Sequence, residues 1–460
     1  MKKALLSSVA VFACAGAVNA ADLPAKAPIL KAAPAATYDW TGFYAGVNWG
    51  TTISDSRITP DQTLFGGGVT GVSHAGFGAG LQVGYNWQIN PTWLVGLEAD
   101  LRYVSTDRTV SEWDDYTSIG VKTDWQGTVR GRFGYVTGPS LLYLTGGVAF
   151  VHVQDTFGGQ TSAPMVAAAT STTTKTGWTV GGGIETKLSP AWSTSMEYQY
   201  IDAGSNTFTG NPFGTPIQTV AQHRFHVIKS GLNYKFGGPA EGLPFFTATL
   251  LSPVRDWSGL YVGGNVGGGI SLTRVTGGLP TATPPRVGEV DLTGNGFTAG
   301  VQAGYNFMLG PKWFVGVEGD IGYLGLNPSL SDFFDSTSVI SQKTTWFGTL
   351  RARVGTSTGP ALLYLTGGGA VVRAEDGLTN TALGTTDTTT STAGGWTFGG
   401  GTEIALDPRW SAKLEYLYID AGKSSHLAGG LTADFSRRFE VVRFGLNYKF
   451  GGADTVVARY

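Results

Sequence analysis

The sequence has few cysteines and few charged residues. Its single cysteine, Cys14, lies near the start of a chain of 460 residues, and only 14% of the residues are charged. A formal net charge of −2 gives no basis for electrostatic binding of nucleic acid. One cysteine cannot form an intramolecular disulfide, so a disulfide framework is excluded.

Long apolar runs are also absent after the N-terminus. A basic start, an apolar run over residues 4–17 and small residues at 18–20 are typical of a secretory signal peptide. Residues 1–20 are therefore predicted to be removed, together with Cys14. No later segment has the roughly 18 to 20 consecutive apolar residues that a transmembrane helix needs. Because only helices and closed barrels satisfy their backbone in lipid, a membrane protein with this sequence is predicted to be a β-barrel.

What the sequence does contain is 70 glycines and a long internal repeat. Several segments of the first half return in the second half at a nearly constant offset. The matching pairs include Asp39–Tyr44 with Asp256–Tyr261, Gly80–Asn86 with Gly300–Asn306, and Gly231–Gly238 with Gly445–Gly452. Residues 39–238 and 256–452 are therefore predicted to be two copies of one barrel-forming unit.

Alternating apolar and polar residues predict eight strands in the first copy. These strands lie near residues 40–50, 76–88, 92–103, 122–136, 140–152, 176–187, 191–202 and 223–236. Very short connections alternate with long ones rich in Gly, Ser, Thr and Asp, which are predicted at 51–75, 104–121, 153–175 and 203–222. This alternation is typical of an outer-membrane barrel with tight periplasmic turns and longer external loops.

Charged residues occupy one face of the predicted strands. Glu98, Asp100 and Arg102 alternate with apolar or aromatic residues, and a charge on the lipid face costs roughly 2–4 kcal/mol at mid-membrane. The charges are therefore predicted to point inward, where opposite charges can pair in an interior just wide enough for side chains. The predicted interior charges are Glu98, Asp100, Arg102, Arg130, Arg132, Glu185, Lys187, Glu197 and Lys229 in the first copy, and Glu318, Asp320, Arg351, Arg353, Glu403, Lys413, Glu415 and Arg443 in the second.

The predicted fold is all-β, a transmembrane antiparallel up-and-down β-barrel, with two architectures open. Two tandem eight-stranded barrels are favoured because the linker 239–255 contains three prolines and is much longer than the other turns on its side. One sixteen-stranded barrel with a water-filled lumen is the alternative. Residues 21–38 are predicted to be an Ala/Pro-rich periplasmic lead-in, and residues 453–460 a C-terminal tail.

Three segments carry a resemblance to a known family: Ala20–Pro24, Asp39–Tyr44 and Gly231–Phe236. Through them the chain resembles the small porin-like outer-membrane β-barrel proteins of alphaproteobacteria, which include the major outer-membrane proteins of brucellae and the rhizobial protein RopB. Members usually have one such unit, whereas this chain has two. The resemblance implies an outer-membrane barrel that supports envelope integrity, with or without porin-like activity, and it implies no catalytic residues.

No sequence pattern predicts a catalytic, cofactor or metal site, so the chain is predicted not to be an enzyme. His223 and His226 lie three residues apart on one strand and therefore point to opposite faces. The Thr/Ser-rich segments 170–176 and 385–392 are predicted to be flexible external loops. Acidic loop residues are predicted to be solvated, with cation binding at the lipopolysaccharide surface as the alternative; they are Glu112, Asp114, Asp115, Asp332 and Asp335.

The expected role is structural or weakly porin-like. A surface protein whose external loops capture a ligand such as haem or a host component is one alternative, and a sixteen-stranded diffusion porin is another. The expected partners are outer-membrane lipid, lipopolysaccharide and the barrel-assembly machinery, and no nucleic acid. The sequence predicts no particular oligomeric state.

Overall fold

The computed structural model describes residues 38–60, 69–111, 117–159, 166–210, 216–237, 255–279, 286–331, 338–380, 384–428 and 431–451. Nearly all of these residues are in β-strands. No helix among them is long and apolar enough to cross a membrane. The predicted signal peptide, nearly all of the lead-in and of the linker, the C-terminal tail and the five acidic loop residues lie outside the described residues.

The described chain forms seventeen strands that pair in antiparallel fashion. The first copy contains β1 (Gly42–Pro60), β2 (Thr70–Gln88), β3 (Trp93–Ser111), β4 (Thr117–Thr137), β5 (Ser140–Gly159), β6 (Val166–Lys187), β7 (Trp192–Gly210) and β8 (Ile217–Lys235). The second copy contains β9 (Gly259–Leu279), β10 (Arg286–Met308), β11 (Trp313–Leu326), β12 (Ser329–Ser331), β13 (Ser338–Ser357), β14 (Ala361–Asn380), β15 (Thr385–Ala405), β16 (Trp410–Ala428) and β17 (Leu431–Lys449). The predicted all-β fold class is confirmed.

Each copy closes into its own barrel. Val47 of β1 lies opposite Leu81 of β2 on one side and Leu232 of β8 on the other, so β1 joins the two ends of the first sheet. β9 pairs with both β10 and β17 in the same way. β11 and β12 both pair with β13 and together take the place of one strand. The structure therefore has two eight-stranded barrels. A single sixteen-stranded barrel would need β8 to pair with β9 and β17 to pair with β1. The sixteen-stranded alternative is wrong, because β8 pairs with β1 and β17 pairs with β9.

Short turns at one end of the barrels are held by side chains that accept two backbone hydrogen bonds. The Asn90 amide oxygen accepts from the N–H groups of Thr92 and Trp93, each at 2.9 Å. In the second barrel, the N–H groups of Trp410 and Arg409 donate to Asp407 at 2.8 and 2.7 Å and lower the pKa of its carboxyl group. These local bonds explain why the predicted tight turns form where Asn, Asp and Pro occur.

At the other end, the strands run far beyond their predicted limits. Most of the segment 51–75, predicted to be a loop, is strand, and the Thr/Ser-rich segments 170–176 and 385–392 lie within β6 and β15. The reason is a second core, because Val110, Ile119 and other apolar residues point inward there and pack together. Polar residues then face water, so the alternation that marks the membrane-spanning part is reversed.

Side chains fill each barrel in layers. An apolar layer closes the short-turn end, and the buried ionic residues lie above it. Further apolar layers follow toward the long-connection end. The layer at the short-turn end contains Trp40, Leu94, Val136, Leu141 and Tyr143 in the first barrel, and Trp257, Phe314, Leu362 and Tyr364 in the second.

The outer wall of the barrels is apolar where it faces lipid. Leu81, Leu97 and Leu144 point outward and are each about two-thirds exposed. Exposed aromatic residues, including Trp87 and Trp313, lie at the short-turn end, where outer-membrane barrels have an interfacial aromatic girdle.

One strip of this outer wall is covered, because the two barrels pack side by side. Outward residues from both barrels form one buried cluster that includes Ile53, Met196 and Ile228 of the first barrel and their counterparts Ile270, Leu414 and Val442 of the second. Near the long-connection end, Arg108 pairs with Glu289 and, at 2.8 Å, with Asp291. Since equivalent strands of the two copies meet, the interface resembles that of a two-fold symmetric dimer.

Closure of each barrel on itself leads to a direct prediction. Residues 21–238 and 239–460, refolded separately in detergent, are each expected to acquire protease resistance and heat-modifiable mobility in gels. The intact chain is the control, processed in parallel. Failure of both halves to fold, when the full chain folds, would mean that the contacts between the barrels are required for closure.

Candidate functional site: the buried ion clusters

The strongest concentration of chemistry in the described residues is a charged cluster inside each barrel. In the first barrel, β3 places Glu98 and Asp100 on the inner face, and the strand register sets Arg130 of β4 opposite Glu98. Because side chains alternate with a period of two, the residues between them face lipid. A strict alternation in the sequence is thus converted into a charged interior and an apolar wall.

Arg130 is the centre of the first cluster. Its guanidinium group contacts Glu98, Glu197 and, at 2.7 Å, Asp100. Lys229 adds a second cation, with its Nζ 2.9 Å from Asp100 Oδ2. All five side chains are buried, so each charge depends on its partners for the solvation that water would otherwise provide.

Tyrosines connect this centre to a second layer. The Tyr44 hydroxyl donates to Glu98 at 2.6 Å and accepts from Arg132 at 2.8 Å. Arg132 also pairs with Glu185 at 2.7 Å and lies 4.1 Å from the centroid of the Tyr143 ring. Sequence reasoning from charges alone missed these tyrosines, although both recur in the second copy as Tyr261 and Tyr364.

The second barrel repeats the arrangement with two changes among its cations. Arg351 contacts Glu318, Asp320 and Glu415, and Arg353 pairs with Glu403 at 2.9 Å. Lys413 Nζ lies 2.9 Å from each carboxylate oxygen of Glu318, at the position that Ser195 occupies in the first copy. Arg443, the counterpart of Lys229, contacts Asp320 at 3.0 Å and Glu415 at 2.6 Å.

The structure places all of the predicted interior charges in buried positions. Fifteen of them join the two ion clusters, and two differ. Lys187 lies at the short-turn end, where it donates to the Asp39 carbonyl at 3.0 Å and covers the Trp40 ring. Arg102 forms no ion pair with any described residue. The sequence predicted its inward direction but also a partner that the structure does not provide.

A further polar group that sequence reasoning missed lies near the long-connection end of the first barrel. His223 Nε2 is 3.3 Å from Asp155 Oδ2, and its Nδ1 is 3.0 Å from the Ser56 hydroxyl. This order resembles a hydrolytic triad. However, all three side chains are fully buried, and Arg437 replaces the histidine in an ion pair with Asp376 in the second barrel. The exchange of histidine for arginine supports a structural role for these buried groups.

No group of three or more His, Cys, Asp or Glu side chains in the described ranges is arranged to hold a metal ion. His223 and His226 illustrate the reason, because His226 contacts the outward-facing Tyr198 through its Nδ1 at 2.9 Å while His223 lies inside the barrel.

Comparison with known proteins agrees with this architecture. The profile of the outer membrane protein beta-barrel domain family matches residues 25–236 and again residues 243–450. The chain belongs to this family. Each match spans one of the two closed barrels, so the family domain occurs here as a tandem pair.

Two relatives to which the chain is similar are named as outer-membrane proteins. The chain is 33% identical over 246 residues to the 31 kDa outer-membrane immunogenic protein of Brucella melitensis biotype 1, a match that covers 51% of this chain and 100% of that protein. It is 34% identical over 173 residues to the 22 kDa outer membrane protein of Rhizobium leguminosarum bv. viciae, covering 37% of this chain and 67% of that protein. The predicted family and outer-membrane location are confirmed, and one whole relative corresponds to about half of this chain.

Proposed function

We propose that this outer-membrane protein has a structural role in the cell envelope, without catalysis and without a pore for solutes. The observation that carries the proposal is the filled interior of both barrels. Ionic and apolar side chains alternate in layers from the short turns to the long connections. An eight-stranded barrel filled in this way holds no water-lined path of the width that a diffusion porin needs.

The ion clusters act as interior scaffolding in this proposal. Arg130 and Arg351 each contact three carboxylates contributed by two other strands. Cross-links of this kind fix the position of the strands relative to one another. They also occupy the space through which an ion would otherwise pass. The same side chains would therefore hold the strands in place and block the barrel interior.

The outer surface suits partners in the membrane. The apolar wall faces lipid chains, while ion pairs such as Asp202–Arg224 and Asp420–Arg438 lie on the outer face beyond it, at 3.8 and 3.9 Å. We include lipopolysaccharide head groups as partners of this charged zone, and the barrel-assembly machinery as the partner during insertion. The external connections on which a ligand-capture role would depend lie largely outside the described residues.

Conductance measurements test the proposal. The purified full-length protein, reconstituted into planar bilayers, is expected to give no stable conductance steps, because the described side chains fill the interior of each barrel. A general diffusion porin in the same bilayers serves as the positive control. Stable, reproducible steps whose size rises in proportion to the salt concentration would contradict the closed-barrel role.

A further inference from the structure

The first barrel contains a buried cation that the ion cluster leaves unused. Arg102 of β3 is only 1% exposed, yet none of its three guanidinium nitrogens has a hydrogen-bond partner among the described residues. Arg130, buried to the same extent, contacts three carboxylates. An unpaired buried charge of this kind is costly unless something solvates it.

Polar groups without partners surround the same position. Gln126 of β4 lies directly opposite Arg102 in the strand register, is 1% exposed, and has neither its amide nitrogen nor its amide oxygen bonded within the described structure. Further along the same barrel interior, toward the long-connection end, the hydroxyl groups of Thr52, Thr106 and Thr123 are likewise buried without a partner among the described residues. Thr106 and Thr123 face each other in the register of the same two strands. The site therefore presents an excess of hydrogen-bond donors.

Glycines in β2 leave room at this position. A Cβ atom at Gly78 would lie 2.9 Å from Arg102 Nη2, so the guanidinium group extends across the strand at this glycine. Gly76 and Gly80, two residues to either side, belong to the same inner face. Without side chains there, the backbone of β3 and the Arg102 side chain approach β2 closely.

The second barrel shows that the fold does not require this polar layer. The counterparts of Gly78, Arg102 and Gln126 are Thr298, Gly322 and Phe347. Phe347 joins a buried apolar cluster, and a Cβ atom at Gly322 would lie 3.1 Å from its ring. Thr298 satisfies its own hydroxyl by donating to the Tyr323 carbonyl at 2.8 Å. These three positions differ together, with a polar layer in the first barrel and an apolar one in the second.

We infer that Arg102 and Gln126 form a binding site for a small inorganic anion of the halide class inside the first barrel. The guanidinium group supplies charge and N–H donors, and the Gln126 amide supplies further donors from the facing strand. Asp100, the nearest acid in sequence, is already bonded to Arg130, Lys229 and Thr128. Its engagement leaves the Arg102 nitrogens free for another acceptor.

The buried carboxylates inside the first barrel are engaged elsewhere. Asp155 contacts His223 near the long-connection end, while Glu185 and Glu197 contact Arg132 and Arg130. Arg102 therefore has no counter-ion among the described residues, and a bound monovalent anion would balance its charge. The equivalent position of the second barrel, Gly322, carries no charge to balance.

Bromide is the direct probe of this site. The full-length protein is refolded and crystallised with bromide as the only halide, and anomalous diffraction locates the ion. The expected result is an anomalous peak beside the Arg102 guanidinium group and none between Gly322 and Phe347. Ordered water at Arg102 with no anomalous signal would overturn the inference.

Stability in solution provides the second measurement. Because a ligand that binds only the folded state stabilises it, the melting temperature of the full-length protein is expected to rise with chloride concentration relative to gluconate at equal ionic strength. Arg102→Met is expected to lose this chloride dependence. The triple variant Gly78→Thr, Arg102→Gly, Gln126→Phe reproduces the second barrel and should behave in the same way if the methionine variant does not fold. Equal chloride dependence in the wild type and in a folded variant would contradict the site.

Discussion

Replacing Arg130 by methionine is expected to destabilise the first barrel by about 3–5 kcal/mol. Methionine retains much of the volume but leaves Glu98, Asp100 and Glu197 buried with only Lys229 and, 3.5 Å from Glu98, Arg132 as counter-ions among the described residues. Urea unfolding of the purified full-length protein in detergent, followed by tryptophan fluorescence and by gel mobility, measures the effect. A midpoint equal to that of the wild type would show that the cluster does not stabilise the barrel.

Two variants serve as controls for this experiment. Arg351→Met removes the equivalent centre from the second barrel and is expected to cost a similar amount, since Arg351 contacts the corresponding carboxylates. Arg102→Met removes an equally buried arginine that has no ion pair among the described residues. It is expected to leave stability in halide-free buffer unchanged or slightly higher. Comparing Arg130→Met with Arg102→Met shows whether stability is lost because a buried arginine is removed or because its carboxylate partners are left without it.

Replacing Gly147 by valine is expected to prevent the first barrel from closing, with a cost of about 3 kcal/mol or more. A Cβ atom at this inward position would lie 2.8 Å from the Cα atom of Arg130 and closer still to the Val129 carbonyl oxygen. Both obstacles are backbone atoms of the paired strand, so no side-chain rotation relieves them. Heat-modifiable gel mobility and protease resistance report closure.

The neighbouring glycine supplies a matched control. A Cβ atom at Gly146 would meet nothing closer than the Thr179 carbonyl oxygen at 3.7 Å, and the residue faces outward. Gly146→Val is therefore expected to fold with normal mobility. Gly367→Val and Gly368→Val repeat the comparison in the second barrel, where a Cβ at Gly368 would lie 2.8 Å from the Arg351 Cα atom. If both members of a pair behaved alike, steric exclusion inside the barrel would not be the cause.

The part of the fold that spans the membrane follows from local sequence alternation. Glu98, Asp100 and Arg130 alternate along their strands with lipid-facing residues. Because an outward charge is costly in lipid, this alternation decides which face of each strand points inward. The same reasoning identified the short turns and the repeat. It failed beyond the membrane, at segments such as 104–121, because there water lies outside the barrel and the apolar residues turn inward.

Pairing of the interior charges could be predicted only in part. Alternation shows that Arg102 and Arg130 both point inward. It does not show how high each side chain lies along the barrel axis, or which side chains of other strands lie within contact distance. Those depend on the stagger of the strands and on the space left by residues such as Gly78. Arg130 therefore meets three carboxylates, while Arg102 meets none among the described residues.

The sequence by itself determined that this protein is a β-barrel of the outer membrane, that it contains two copies of one unit, and that the charges of its membrane-spanning part point inward. These properties depend on periodicity and on the cost of charge in lipid, which act residue by residue. Tertiary structure alone decided that each copy closes separately, that Tyr44 and Tyr143 join the ion clusters, and that the two barrels pack through equivalent faces. Such features bring together residues far apart in the chain, and their formation depends on strand register and packing, which no local pattern encodes.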